Sequence, residues 1–105
     1  MITHAPSRAD VQARLTAART DILGLGVRRL ALFGSVRRDT AGVESDVDVL
    51  VEFAPGEKNF DHFMDLGDLL ERVLGREVEL VTPESLSPFL KAHILADALD
   101  VVRAA

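Results

Sequence analysis

The chain has 105 residues, 48% of them hydrophobic and 28% charged, with 17 acidic against 12 basic residues for a formal charge of -5. This length fits one domain that buries about two-thirds of its unfolded surface, and the composition is that of an ordinary soluble globular protein. The acidic balance argues against a nucleic-acid backbone as the main ligand, and the lack of cysteine excludes disulfides, thiolate zinc sites and thiol catalysis. No apolar run approaches the roughly 20 residues of a membrane span, and residues 1–10 lack the apolar stretch of a secretory signal. A cytoplasmic location is therefore expected. With no tyrosine or tryptophan and only five phenylalanines, stacking platforms for single-stranded nucleic acid are also missing.

A single domain over residues 1–105 is expected, with residues 1–6 as a disordered tail. Ser7 caps a first helix with Asp10 three residues on, and the apolar stripe runs Val11, Leu15, Ala18, Ile22 and Leu25 until Gly24 and Gly26 end it. Residues 30–33 form a short apolar run that turns sharply at Gly34 into a loop or short helix. A connecting loop over 39–45 leads to the clearest strand, 46–53, which Ala54-Pro55-Gly56 breaks. Asn59 caps a second long helix whose buried stripe is expected to be Phe60, Phe63, Met64, Gly67, Leu70 and Leu74, with Gly75 ending it. Residues 77–81 read as a third strand. Pro83 and Pro88 suit helix starts, and Leu90, Ile94, Ala98 and Val101 continue as one helical stripe, giving an apolar C-terminal helix over 86–102. The order helix, strand, strand, helix, strand, helix predicts an α/β (α+β) fold, with helices packed on a small mixed sheet of three or more strands.

The chemistry concentrates around Gly34-Ser35 and, after ten further residues, Asp46-Val47-Asp48. Strand alternation points Asp46 and Asp48 one way and Val47, Val49, Val51 and Phe53 the other. Two adjacent carboxylates repel each other, and a hard divalent cation with oxygen ligands relieves that cost. Gly34 lets backbone amides come close to phosphate oxygens, and the Ser35 hydroxyl can donate to a terminal phosphate. Glu79 lies on a later strand that must run near the first, although Glu77 shares its face and both could simply face solvent. Arg37 and Arg38 are a short basic pair. His4, His62 and His93 lack partners at ligand spacing and read as ordinary residues, Phe60, Phe63 and Met64 as core, and Glu44 as a solvated loop charge.

Together, Phe33-Gly34-Ser35, Arg38, Ser45-Asp46-Val47-Asp48 and Val78-Glu79-Leu80-Val81 resemble the minimal nucleotidyltransferases of the DNA polymerase β superfamily. The resemblance runs from about Leu30 to about Val101, and in length it is to the stand-alone antitoxins found beside HEPN-domain toxins. It implies a polymerase β-like nucleotidyltransferase fold with Asp46, Asp48 and Glu79 as catalytic residues that also hold Mg2+, two ions in all. It further implies that Gly34, Ser35 and Arg38 bind the nucleotide, with Arg37 in reserve. ATP would be the substrate, and AMP would pass to a hydroxyl, a tyrosine of a partner HEPN toxin, inactivating it. An oligomer with that partner is implied, with no direct nucleic-acid contact and no membrane. The family usually has aspartate where this chain has Glu79, one methylene longer. Two other readings stand beside it: a non-catalytic antitoxin that neutralises the toxin by complex formation, and a subunit of a small-molecule (antibiotic) nucleotidyltransferase.

Overall fold

The computed structural model describes residues 4–105. Helix α1 (Arg8–Ala17) begins where the Ser7 hydroxyl accepts the Asp10 amide at 3.1 Å, so the capping reading holds. The expected continuous first helix is broken at Ala18 (φ -93°, ψ 10°), whose amide turns back to the Arg14 and Leu15 carbonyls, and α2 (Arg19–Leu23) starts afresh. Val11, Leu15 and Ile22 of the predicted stripe are all buried. Of the expected tail, residues 1–3 lie outside the described residues; the His4 carbonyl accepts from Arg76 Nη2 at 2.7 Å, and Pro6 is buried.

Strand β1 (Val27–Phe33) is followed directly by the short helix α3 (Gly34–Arg37), and β2 (Val47–Phe53) follows a loop. Helix α4 (Phe60–Leu74) is capped by Asn59, which accepts the His62 amide at 2.8 Å, and it stops at Gly75, whose φ of 66° is left-handed. Strand β3 (Val78–Val81), a 3-10 turn (Pro83–Ser85), helix α5 (Pro88–Asp97) and strand β4 (Leu99–Arg103) complete the chain. The four strands form one mixed sheet in the order β3-β2-β1-β4. β1 is antiparallel to both β2 and β4, while β3 is parallel to β2.

Two expectations are corrected. The C-terminal helix does not extend over 86–102: it ends at Asp97, Ala98 is extended (φ -66°, ψ 135°), and Leu99–Arg103 pairs with the free edge of β1. That edge offers backbone partners, and a register shift between Leu30 and Ala31 lets Val102 turn into the core at 1% exposure although Asp100, two residues before it, is exposed. On α4 the buried stripe is rotated. Leu70 and Leu74 of the expected stripe are buried and Phe63 packs partly against the core, but Phe60 is 75% and Met64 46% exposed, and Leu66 and Leu69, outside that stripe, are buried instead. The leucines repeat at spacings of three and four and form the stronger apolar face.

The sheet is two-sided. Leu30 and Leu32 of β1, Val47, Val49 and Val51 of β2 and Val102 of β4 pack with Val11, Leu15, Ile22, Leu66 and Leu70 in a single core. The opposite face carries charge. There Arg29 bridges three strands, reaching Glu52 on β2 at 2.7 Å and Asp100 on β4 at 2.5 Å, and the Glu52 hydrogen bond raises its already high pKa. No helix among the described residues is long and apolar enough to cross a membrane.

Candidate active site

The charged face ends at the C-terminus of β1. Register places Phe33 opposite Asp48 on one side, and Asp48 opposite Glu79 on the other. Sequence positions 33–34, 48 and 79, separated by long connections, thus meet at one point. The expected strand 46–53 begins one residue later, so Asp46 lies just outside β2 and is exposed, while Asp48 is half-buried.

The Gly34 conformation fixes the approach. Its φ of 72° is left-handed, and a Cβ built on it would lie 2.1 Å from Asp48 Oδ2. Only glycine lets the turn pass so close beneath this carboxylate. α3 is held in place by Val36, fully buried, and by backbone bonds from Arg38 to Gly34 and from Thr40 to Ser35. The Ser35 carbonyl is thereby used, but its hydroxyl takes no hydrogen bond among the described residues and is free to donate to a ligand.

Asp48 is pushed up from 3.8 to about 6. Burial is the largest cause, followed by the hydrogen bond and charge of Glu79 and the charge of Asp46, with Arg38 pulling the other way. In the cation-free protein Asp48 thus keeps its proton to a higher pH than an ordinary aspartate. Among the described residues no three such groups close into a cage; the donors are an open pair with Asp46 at its rim. This suits a magnesium ion, which usually keeps several waters and takes one or two carboxylates together with substrate phosphates.

Arg38 is placed differently from the simple expectation of a free phosphate ligand. Its Nη1 donates to Asp97 Oδ2 at 2.9 Å, and the Gly34 amide donates to the same oxygen at 3.0 Å. Arg37 Nε reaches the Asp97 carbonyl at 2.9 Å. Sequence reasoning missed Asp97, which it had left inside a helical stripe. No sequence signal marked it, because the helix end at Asp97 appears only in the structure. Glu77 is exposed and lies outside β3, and its carbonyl accepts the Val47 amide.

Residues 16–101 match the family model described as a nucleotidyltransferase domain. A candidate protein adenylyltransferase of Methanocaldococcus jannaschii is 43% identical over 81 residues, covering 77% of this chain and 86% of that protein. The protein adenylyltransferase MntA of Thermococcus cleftensis is 33% identical over 93 residues, covering 88% of this chain and 93% of that one. Among solved structures, one described as a candidate minimal nucleotidyltransferase superposes with a TM-score of 0.79 at 32% identity, over 89% of this chain and 94% of the other. The fold is also shared, at a TM-score of 0.64 and 18% identity, with a complex described as a tri-AMPylated Shewanella oneidensis HEPN toxin with its MNT antitoxin, over 92% of this chain and 73% of that one. The chain belongs to the nucleotidyltransferase domain family and is a nucleotidyltransferase of its minimal form.

Proposed function

We propose that this protein is an antitoxin that transfers AMP from ATP to a tyrosine hydroxyl of a partner HEPN-domain toxin, and so inactivates it in the cytoplasm. The observation that carries the reading is Asp48, in register with Glu79 of the neighbouring parallel strand, lying directly against a turn that only glycine can form. The names of the archaeal relatives and the HEPN toxin complex that shares the fold support the choice of donor and acceptor. This chain contains no tyrosine, so a tyrosine acceptor belongs to another molecule.

Asp46, Asp48 and Glu79 would hold magnesium, two ions in all, which when bound neutralises charge shared between these carboxylates and the phosphates. The amides of the Gly34 turn, the Ser35 hydroxyl and Arg38 hold the triphosphate tail. The acceptor oxygen attacks the α-phosphorus, the bond from that phosphorus to the bridging α–β oxygen breaks, and pyrophosphate departs. Glu79, the more exposed of the paired acids, takes the acceptor proton. Added phosphate charge and bulk at the toxin then block access by RNA.

A second reading has its own observation. Helix α5 buries no side chain, and Phe89 is 72% and Leu90 50% exposed, a surface suited to neutralisation by complex formation alone. The experiment that separates the two combines the chain, labelled ATP, magnesium and the toxin, and then repeats it with Asp46→Asn/Asp48→Asn. Label transfer lost in the double variant together with neutralisation supports catalysis. Neutralisation unchanged without label supports the complex.

A further inference from the structure

Asp97 makes contacts that an anionic ligand would otherwise make. A single oxygen, Oδ2, accepts both the Gly34 amide at 3.0 Å and Arg38 Nη1 at 2.9 Å. These donors come from a glycine turn and a guanidinium on the rim of the acidic pair, and Arg38 is near enough to Asp48 to lower its pKa. The carboxylate arrives from an unfavourable place. It is the last residue of α5, where the helix dipole repels negative charge, and the last turn has no basic residue to offset it. The helix that carries it is weakly held, with no buried side chain over Pro88–Asp97. Directly beyond it, Ala98 is extended, and β4 is anchored to β1 through Leu32 opposite Leu99. Apart from its Oδ2 contacts the end of α5 is held by Arg37 Nε on the Asp97 carbonyl at 2.9 Å, a bond that must also loosen for the helix end to shift while β4 keeps its pairing.

We propose that Asp97 is an internal competitor for the nucleotide: its carboxylate fills the anion position formed by the Gly34 amide and the Arg38 guanidinium, and the triphosphate displaces it and frees the end of α5. This rests on the reading of Gly34, Ser35 and Arg38 as the triphosphate cradle. The Gly34 amide has a single N–H, so a phosphate oxygen that takes it displaces Asp97 Oδ2, and a polyphosphate prevails because it brings more charge than one carboxylate. Nucleotide occupancy would then be coupled to the mobility of α5, whose apolar side chains Phe89, Leu90 and Leu95 are already exposed.

The test is calorimetric titration of the full chain with Mg·ATP, for wild type, Asp97→Asn and Asp97→Ala, alongside hydrogen exchange of the wild type with and without Mg·ATP. Removing the carboxylate is expected to tighten binding about fivefold, the effect of deleting one partly exposed competing charge. In the wild type, α5 amides are expected to exchange faster once nucleotide is bound. Should either variant fail to fold, the wild-type exchange carries the test. Measurable binding that is equal or weaker in the Asp97 variants, or α5 exchange that is unchanged or slower with ATP bound, overturns the competitor and leaves Asp97 a positioning residue. Folded wild type and variants that all fail to bind Mg·ATP would overturn the cradle reading itself.

Discussion

Gly34 and Asp48 define each other at the level of single residues. A Cβ at position 34 would sit 2.1 Å from Asp48 Oδ2 in a backbone of φ 72°, so Gly34→Ala must move either the turn or the carboxylate. Left-handed strain of about 1–2 kcal/mol adds to that clash. We expect Gly34→Ala to lower stability by at least that amount in urea unfolding and to reduce nucleotide transfer at least tenfold, since a shift near 1 Å suffices. Asp48 sets an unusual pH dependence. Because it holds its proton more tightly in the folded state, its contribution to stability is complete below about 3.8 and is lost as the pH rises through about 6. The cation-free protein should therefore lose stability from this group between those values, the reverse of the usual salt-bridged aspartate. Asp48→Asn should flatten that slope and raise stability near neutral pH by about 1 kcal/mol, with half-exposure already discounted. Urea unfolding in chelator on both sides of the transition reads this directly, and an identical slope in the variant would refute the assigned proton.

Among the elements, helix caps, glycine stops and the central strand were legible, because each depends on a few neighbouring residues. Ser7, Asn59 and Gly75 act where their chemistry predicts, and the apolar side of β2 is the one that alternation assigns. What depended on distant partners was not legible. Arg28 and Arg29 hid the first half of β1, since their charges are matched only by Glu52 and Asp100 on other strands. Likewise β4 resembled the end of a helix until the free edge of β1 was known, and the leucine face of α4 outcompeted the Phe60 and Met64 face. The candidate site followed the same rule. Gly34, Asp48 and Glu79 were readable from motif spacing, whereas the Asp97 contact was not. Two pairs of substitutions check the element assignments. Val102→Ala should cost about 2 kcal/mol as a buried strand residue, against under about 0.5 kcal/mol for exposed Leu90→Ala. Gly67→Ala, in open space within α4, should stabilise by about 0.5–1 kcal/mol, while Gly75→Ala, at φ 66°, should destabilise by about 1 kcal/mol. Thermal or denaturant unfolding of the four variants decides both.

For the whole molecule, the sheet separates labour between its faces: one buries the aliphatic core and the other presents paired acids beside the Gly34 turn. Net acidity is no obstacle to binding a polyphosphate that arrives with its own cation. Saturating Mg·ATP at about 100 times its dissociation constant should add about 2.7 kcal/mol to global stability, and chelation should remove nearly all of it. The Phe60 and Met64 face of α4 and the Phe89 and Leu90 face of α5 are exposed apolar surface.

The most direct test is transfer of label from α-labelled ATP to the purified HEPN toxin by this chain in magnesium. The account predicts covalent label on a toxin tyrosine, loss of the toxin's ribonuclease activity in step with it, and a reduction of at least 100-fold with Asp48→Asn. An unlabelled toxin, or label that persists undiminished in Asp48→Asn, would contradict it.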